Sequence, residues 1–239
     1  MEFYIGYIVC GAVIFLAIIT ALIAQIKVNS AFNKYKDYTS SLDLTGAQLA
    51  EELAMKNGIS LNINCVNGTL SDHYDPRDKS INISQENYHS KSIASQAIVA
   101  HEFGHALQDQ QDYFPFKVRQ GVVKVSNIVS KLLLPMIIIG LILEFFIFVG
   151  GGVGNIVIYV YVGIYAISVI VNLVTLPVEF NASSRAKKLL AEMGANSHNE
   201  IVATDKLLNA AAMTYVASLL VSLAYLLRIL YILRFLKRD

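Results

Sequence analysis

The chain has 239 residues, of which 55% are hydrophobic and only 15% charged, and its formal net charge is +1. Soluble proteins average roughly 25% charged residues, so the composition argues against an ordinary soluble protein, and the low net charge does not suggest a nucleic-acid partner. Two cysteines, Cys10 and Cys65, are too few for a disulfide framework or a thiolate zinc site.

The apolar residues are concentrated in four long blocks. The first, Phe3 to Ile26, contains no charge and is long enough to cross a bilayer, which takes about 20 residues. It lacks the basic start and the cleavage site of a signal peptide, so we expect a retained anchor. The other blocks are 132–149, 156–176 and 211–227. A short, uncharged, glycine-rich segment separates the second block from the third, which predicts a hairpin of two spans.

Two polar regions remain, residues 27–131 and 178–210, and we expect both on one side of the membrane because the predicted hairpin lies between them. Lysines and arginines next to the spans lie in these regions, whereas the glycine-rich turn carries none. The positive-inside rule therefore predicts that both regions face the cytoplasm and that the amino terminus lies outside. A fourth full span would leave the basic carboxyl-terminal tail outside, against this rule, so either the tail lies along the interface or the last segment does not fully cross.

The first polar region carries the signals of two capped helices. Thr45-Gly-Ala-Gln48 has the form of a capping box, and Asn57-Gly58 is typical of a helix stop. Ser92 is a favourable cap for a second helix that continues to about Gln108. Both ends of the first helix and the start of the second are thus predicted by local sequence.

Alternating runs between these helices predict strands. Residues 59–65 alternate apolar and polar side chains, which is typical of a half-buried strand. A turn at Asp75-Pro-Arg-Asp78 precedes a second alternating run at 80–84. We therefore expect a strand–turn–strand hairpin from about residue 69 to 84, and a small α+β unit as a whole.

The segment His101-Glu102-Phe-Gly-His105 fits the H-E-x-x-H pattern. Residues i and i+4 lie on one face of a helix, so both imidazoles can point at one zinc ion. The glutamate beside the ion can take a proton from a zinc-activated water and pass it to the leaving amine. A helix that carries two histidines by chance is the alternative. The pattern on a capped helix favours zinc, with Glu102 as general base.

Two histidines do not complete a catalytic zinc site, which usually has three protein ligands and an open position. Gln108 stands where the extended metzincin motif would have a glycine, so the third ligand must come from elsewhere. Glu179 is the best candidate, because it directly follows the third apolar block on the same side of the membrane. Pro177 suits the first turn of a new helix or a kink. A solvated carboxylate early in a helix is the other interpretation of Glu179.

Other polar residues have weaker signals. His73 and Tyr74 precede the predicted turn and are candidates for substrate binding or oxyanion stabilisation, or else they pack the hairpin. Arg185 is a candidate for binding a substrate carbonyl or carboxylate, or is a positive-inside arginine. Asn172 is expected to join two spans by a hydrogen bond. Glu144 lies inside the second block and is left without a role.

Several further segments occur in the same order as in one known family. They are Thr45-Gly-Ala, Ser71-Asp-His-Tyr-Asp-Pro-Arg77, Ser92-Ile-Ala, His101 to Gln108, Leu176 to Ser183, and the Ala-Ala-Met-Thr-Tyr-Val run from Ala211. On these segments the chain resembles the YugP-like neutral zinc metallopeptidases, which are multi-pass bacterial membrane proteins. The resemblance implies His101, His105 and Glu179 as zinc ligands and Glu102 as the base.

The chain is more distantly similar to the heat-shock membrane protease HtpX and to the eukaryotic CaaX-processing zinc proteases. Those relatives carry an aspartate four residues after the third-ligand glutamate, where this chain has Ser183. A hydroxyl at this position can still hold a ligating histidine by a hydrogen bond, but it supplies no charge.

We therefore predict a multi-pass α-helical membrane protein with a small α+β zincin-like metallopeptidase unit. The predicted activity is that of a gluzincin-like zinc metalloendopeptidase in the bacterial cell membrane, with peptides or membrane proteins as substrates and its active site facing the cytoplasm. The expected segments are an anchor at 1–26, the metallopeptidase unit at 27–131, a transmembrane hairpin at 132–177, a helix with the third zinc ligand at 178–210, and a fourth transmembrane segment with a basic tail at 211–239.

The competing class is a non-enzymatic membrane scaffold or chaperone-like factor whose zinc is structural. A structural zinc site is closed by a fourth protein ligand. Cys65 and His73 are the spare donors that the sequence offers for that position.

Overall fold

A computed structural model describes residues 1–122 and 154–236, together with the isolated positions 135, 138 and 142. The rest of the predicted second span, including Glu144, and residues 150–153 of the glycine-rich segment lie outside the described residues. The elements in chain order are α1 (Glu2–Tyr35), α2 (Gly46–Asn57), β1 (Asn62–Val66), β2 (His73–Asp75), β3 (Ser80–Ser84), α3 (Gln85–His89), α4 (Ile93–Gln110), a helical run α5 (114–122), α6 (Gly154–Met193) and α7 (His198–Leu236).

Contacts divide the chain into two units. The first, here called the α/β unit, consists of Ala24–Lys117 and Leu176–Thr214. The second, here called the helical unit, consists of Met1–Ile23, Val118–Thr175 and Tyr215–Asp239. The long helices α1, α6 and α7 each contribute residues to both units.

The predicted helix ends in the α/β unit are confirmed. The Thr45 hydroxyl accepts from the Gln48 backbone N–H at 3.2 Å, and the Gln48 side chain accepts from the Thr45 backbone N–H at 2.9 Å. Gly58 ends α2 in the left-handed conformation at φ 65°, which costs glycine little. The Ser92 hydroxyl accepts from the Ser95 N–H at 3.1 Å and caps the start of α4.

The predicted hairpin is confirmed as well, but its place in the sheet was not foreseen. Strands β2 and β3 pair antiparallel, with His73 opposite Asn82. Strand β1 pairs with β3 in parallel, so the order is β1-β3-β2 and β2 lies at an edge. Alternation in a sequence indicates which side chains are buried and does not indicate which strand is the neighbour.

One apolar core holds the α/β unit together. It buries side chains from α2, β3, α4, α6 and α7, including Leu49, Leu53, Ile81, Ile83, Val99, Phe103, Leu189 and Leu208. Each of these elements therefore has one face fixed against the others by apolar burial. This packing sets the positions of α4 and α6, which carry the candidate site.

Helix α6 continues through Pro177, so a new helix does not begin there. Proline removes one backbone donor from a helix interior, and the remaining hydrogen bonds and packing hold the helix in spite of this loss. The helix ends at Met193 and is followed by Gly194, which has φ 105°, and α7 begins at His198. Residues 178–210 therefore comprise the end of α6 and the start of α7.

Among the described residues, three helices are long and apolar enough to cross a membrane, namely Glu2–Tyr35, Tyr161–Met193 and His198–Phe235. Large apolar side chains on α1 are exposed, for example Phe15 at 63%, as expected for a surface that contacts lipid. The predicted hydrogen bond from Asn172 is confirmed within the helical unit, where its amide donates to the Ser222 hydroxyl at 3.0 Å. This bond joins α6 to α7.

Candidate metal centre

The two histidines of the H-E-x-x-H segment lie side by side on α4. Their ring centroids are 4.9 Å apart, and His105 also stacks on Phe116. Phe103, on another face of the same helix, is buried in the core. The apolar face thus fixes the helix rotation, and the i, i+4 spacing places both imidazoles together.

Glu179 reaches these histidines because α4 and α6 approach closely at Gly104. A Cβ atom added to Gly104 would lie 2.7 Å from the backbone oxygen of Ala182 on α6, which is closer than van der Waals contact allows. Glycine at this position therefore lets the two helices approach more closely than any other residue would. The glycine inside the motif is needed for packing, independently of any role in chemistry.

The carboxylate of Glu179 is buried between the imidazoles at 2% exposure. Its Oε2 atom lies 3.2 Å from His101 Nε2 and 3.7 Å from His105 Nε2. Zinc bonds of about 2.0–2.2 Å put tetrahedral ligand atoms roughly 3.3–3.6 Å apart. One potential ligand atom from each of the three residues lies within 4.8 Å of the others, so this group could hold a metal ion.

The hydrogen bonds around His105 suit a metal ligand. Gln108 donates its amide N–H to the Val178 carbonyl at 2.8 Å, and a carbonyl can only accept. The Gln108 amide oxygen therefore faces His105 Nδ1, 2.9 Å away, and must receive its proton. The neutral ring then presents the lone pair of Nε2 toward Glu179, which is the form that binds zinc.

The contact expected for Ser183 is present. Its hydroxyl oxygen lies 3.2 Å from His101 Nδ1. A hydroxyl can either donate or accept, so this contact orients the ring without fixing which nitrogen carries the proton.

Glu102 is held on the side of α4 that faces β2. Its Oε2 atom accepts from the backbone N–H of Tyr74 at 3.0 Å. Burial raises the pKa of the Glu102 carboxyl, and the neighbouring His101 and His105 act in the opposite direction. The hydrogen bond from Tyr74 thus fixes the Glu102 carboxylate next to the histidine pair.

The three weaker candidates occupy different surroundings. His73 is exposed on β2, with its Nδ1 2.9 Å from the Ser71 carbonyl. Tyr74 donates its hydroxyl to Asp109 at 2.8 Å, and burial together with this carboxylate raises the pKa of the phenol. The Arg185 guanidinium donates to the side chains of Asn181 and Gln111, which also belong to the α/β unit. A role for these three residues in substrate binding stays a prediction.

Sequence reasoning missed the contributions of Gly104, Gln108 and Asn181. Gln108 was noted only because it replaces the glycine of a longer motif, although its i+3 spacing from His105 puts both on one helix face. Asn181 lies two residues beyond Glu179, and only the fold brings it to Gln108, with a 2.9 Å hydrogen bond.

Comparison with known proteins adds three findings. A family model described as "Putative neutral zinc metallopeptidase" matches residues 10–234. The protein named "Putative membrane protease YugP" of Bacillus subtilis (strain 168) is 38% identical over 210 residues, which cover 87% of this chain and 89% of that relative. No solved structure matches the chain.

Proposed function

Since this chain belongs to the neutral zinc metallopeptidase family, as its resemblance predicted, we propose that it hydrolyses peptide bonds with zinc bound by His101, His105 and Glu179. The observation that carries the proposal is the convergence of one ligand atom from each residue within 4.8 Å. Two imidazoles and one glutamate are also the ligand set of thermolysin, which supports a gluzincin-like class.

The metal ion, Glu102 and the Tyr74 backbone would each have a separate role in hydrolysis. Bound zinc would lower the pKa of a water molecule to about 7 and polarise the substrate carbonyl. Glu102 then accepts a proton from the attacking water and delivers it to the leaving amine. The hydrogen bond from Tyr74 N–H holds this carboxylate in place between the two proton transfers.

Strand β2 offers a means of binding an extended peptide. It lies at the edge of the sheet, and the backbone N–H of Tyr74 points to Glu102 rather than to β3. A substrate that adds as a further strand at this edge would therefore run beside the base. This arrangement supports the zincin-like architecture that the sequence predicts for the α/β unit.

The apolar helices and the name of the Bacillus relative fit a membrane location. We propose that substrates are membrane proteins or peptides near the bilayer. The basic residues flanking the spans, such as Lys34 and Lys36, support a site that faces the cytoplasm.

The test compares Glu102→Gln with wild type in detergent-purified full-length protein. We expect zinc content to stay unchanged and cleavage of casein or a reporter peptide to fall about 10²–10⁴-fold, the usual contribution of a general base. Glu51→Gln, the same change at an exposed position of α2, is the matched control and should retain full cleavage. Equal cleavage by wild type and Glu102→Gln would contradict the proposed base.

The scaffold alternative requires a fourth protein ligand. Within the described ranges the metal-binding group contains three residues, and neither Cys65 nor His73 belongs to it. This favours a site with a position left for substrate or water. A wild-type protein that binds zinc but cleaves neither casein nor peptides would favour the scaffold.

A further inference from the structure

A chain of hydrogen-bonded side chains runs from Arg185 into the metal-binding group. The Arg185 Nε donates to Asn181 Oδ1 at 2.7 Å, and the Gln108 amide donates to the same oxygen at 2.9 Å. Gln108 then accepts from His105 Nδ1 at 2.9 Å. A second nitrogen of the guanidinium donates to Gln111 Oε1 at 2.6 Å, which holds the arginine at the start of the chain.

Every bond of this chain has one allowed direction. Arginine only donates, so the Asn181 atom that faces it must be the amide oxygen. Gln108 uses both amide hydrogens, one toward Asn181 and one toward the Val178 carbonyl. Rotating the Gln108 amide by half a turn would set its oxygen against two acceptors and lose both bonds. The amide oxygen is therefore held toward His105, in a position with 0% exposure.

The two histidines differ in whether the hydrogen-bond partner of Nδ1 determines the tautomer of the ring. The partner of His101 Nδ1 is the Ser183 hydroxyl, which can donate or accept. The partner of His105 Nδ1 is the Gln108 amide oxygen, which can only accept, because the Val178 carbonyl and the Asn181 amide oxygen hold the amide in this orientation. The hydrogen bonds from Arg185 to Gln108 thus select the His105 tautomer whose unprotonated Nε2 is available to the ion. They do so before an ion binds.

We propose that Arg185, Asn181 and Gln108 form a positioning relay that orients His105 and fixes its tautomer, and so strengthens metal binding. This inference deepens the proposed zinc site and rests on it. It also gives Arg185 a role that does not require contact with substrate. The alternative is that the three residues only attach α6 to α4, in which case their loss lowers stability and leaves the intrinsic zinc affinity unchanged.

The experiment measures zinc affinity of full-length protein in detergent by competition with a chromophoric chelator. Removal of an outer hydrogen-bond partner of a metal ligand typically weakens metal binding about 10–100-fold, which is the loss expected for Gln108→Leu. Gln96→Leu is the matched control, because Gln96 is also buried on α4 and donates its amide to a backbone carbonyl, that of Leu44 at 2.9 Å. It should lower thermal stability and leave zinc affinity unchanged.

A conservative variant separates positioning from attachment. Gln108→Glu keeps an oxygen acceptor for His105 Nδ1 and should recover most of the zinc affinity lost in Gln108→Leu. The visible spectrum of the Co²⁺-substituted protein should likewise match wild type in Gln108→Glu and change in Gln108→Leu. Equal losses of affinity in the two variants, or equal losses in Gln96→Leu and Gln108→Leu, would overturn the relay.

Arg185→Met tests the accessible end of the relay and does not depend on whether a Gln108 variant folds. We expect zinc binding to weaken about 10-fold, at the lower end of the range for outer partners. Unchanged zinc affinity with a raised KM would instead identify Arg185 as a substrate-binding residue and overturn its place in the relay. A wild-type protein that binds no zinc would refute the proposed function itself, an outcome distinct from all of these.

Discussion

Helix α4 is bordered by two regions that are built in different ways. Toward α6, it is joined by side chains far apart in sequence, such as His101 and Glu179, which are separated by 78 residues. Toward β2, the contact to Glu102 comes from a backbone N–H only 28 residues away. Both borders position a side chain that is central to the proposed chemistry.

The difference indicates where substitutions matter. On the α6 side, both the ligand and its supporting contacts depend on particular side chains and on a close approach of two helices. On the β2 side, any residue except proline at position 74 can supply the donor to Glu102. Metal binding should therefore be sensitive to side-chain changes, whereas orientation of the base should be sensitive to changes of the backbone.

The largest effect on the α6 side is expected from Gly104→Ala. The added methyl group would meet the Ala182 backbone oxygen at 2.7 Å, so α6 must move and take Glu179 with it. We expect zinc affinity to fall at least about 10-fold, as for loss of an outer contact, and stability to fall by about 1–3 kcal/mol, as for an overpacked core. Chelator competition and thermal unfolding measure the two effects.

Gly163→Ala is the control for this change, because an added Cβ there would meet nothing within 4 Å. It should leave zinc binding as in wild type. Wild-type zinc affinity in Gly104→Ala would contradict the close approach of α4 and α6 as the origin of the site.

A proline at position 74 should remove the hydrogen bond between β2 and Glu102 without disturbing the metal ligands. Tyr74→Pro removes the N–H that holds Glu102, and we expect cleavage to drop by at least about 10-fold, part of the contribution of a general base. Both Tyr74→Pro and Tyr74→Ala lose the ring and the hydrogen bond to Asp109. Only Tyr74→Ala keeps the backbone N–H, so it is the matched control. Zinc content should be equal in both, and equal cleavage rates would show that this backbone donor is dispensable.

The smallest effect is expected at the turn behind β2, where Arg77 forms an ion pair with Asp75. The hydrogen bonds from the Arg77 side chain and backbone lower the pKa of Asp75 to about 2. Because the Arg77 side chain is 88% exposed and the ion pair is screened by solvent, its loss in Arg77→Ala should lower stability only slightly at neutral pH.

The pH dependence of this loss follows from the direction of the shift. A carboxyl whose pKa is depressed in the folded state contributes stability above its unfolded pKa, near 4. This contribution is lost as the pH falls from about 4 toward 2. The stability difference between wild type and Arg77→Ala, measured by circular dichroism on zinc-free protein, should therefore shrink over this range. A difference that grows toward pH 2 would contradict the ion pair as its cause.

Local sequence was sufficient for one half of the candidate site. The H-E-x-x-H spacing placed His101 and His105 together because a helix brings residues i and i+4 to one face. The helix that carries them could be located because Ser92 offers a cap, and the hairpin followed from alternation around a proline-containing turn. These features depend on residues within a few positions of each other.

Glu179 was reachable from sequence only as a candidate, since its distance from the histidines depends on how two helices pack. Gly104 permits the close approach of α4 and α6 that brings Glu179 to the histidines. Nothing in the motif indicates that its glycine faces the backbone of α6. The parallel pairing of β1 with β3 and the passage of α6 through Pro177 are likewise products of tertiary packing. The membrane orientation stays a prediction from the distribution of basic residues.

The sequence by itself determined the residue types of the site, the family, the helix caps and the apolar helices. Short-range rules govern these features, because capping, periodicity and transfer of apolar residues from water act on neighbouring positions. Only the tertiary structure decided which groups the ligands contact, such as the fixed acceptor Gln108 for His105 and the hydroxyl of Ser183 for His101. Hydrogen-bond direction across two helices depends on atomic positions that local sequence patterns do not specify.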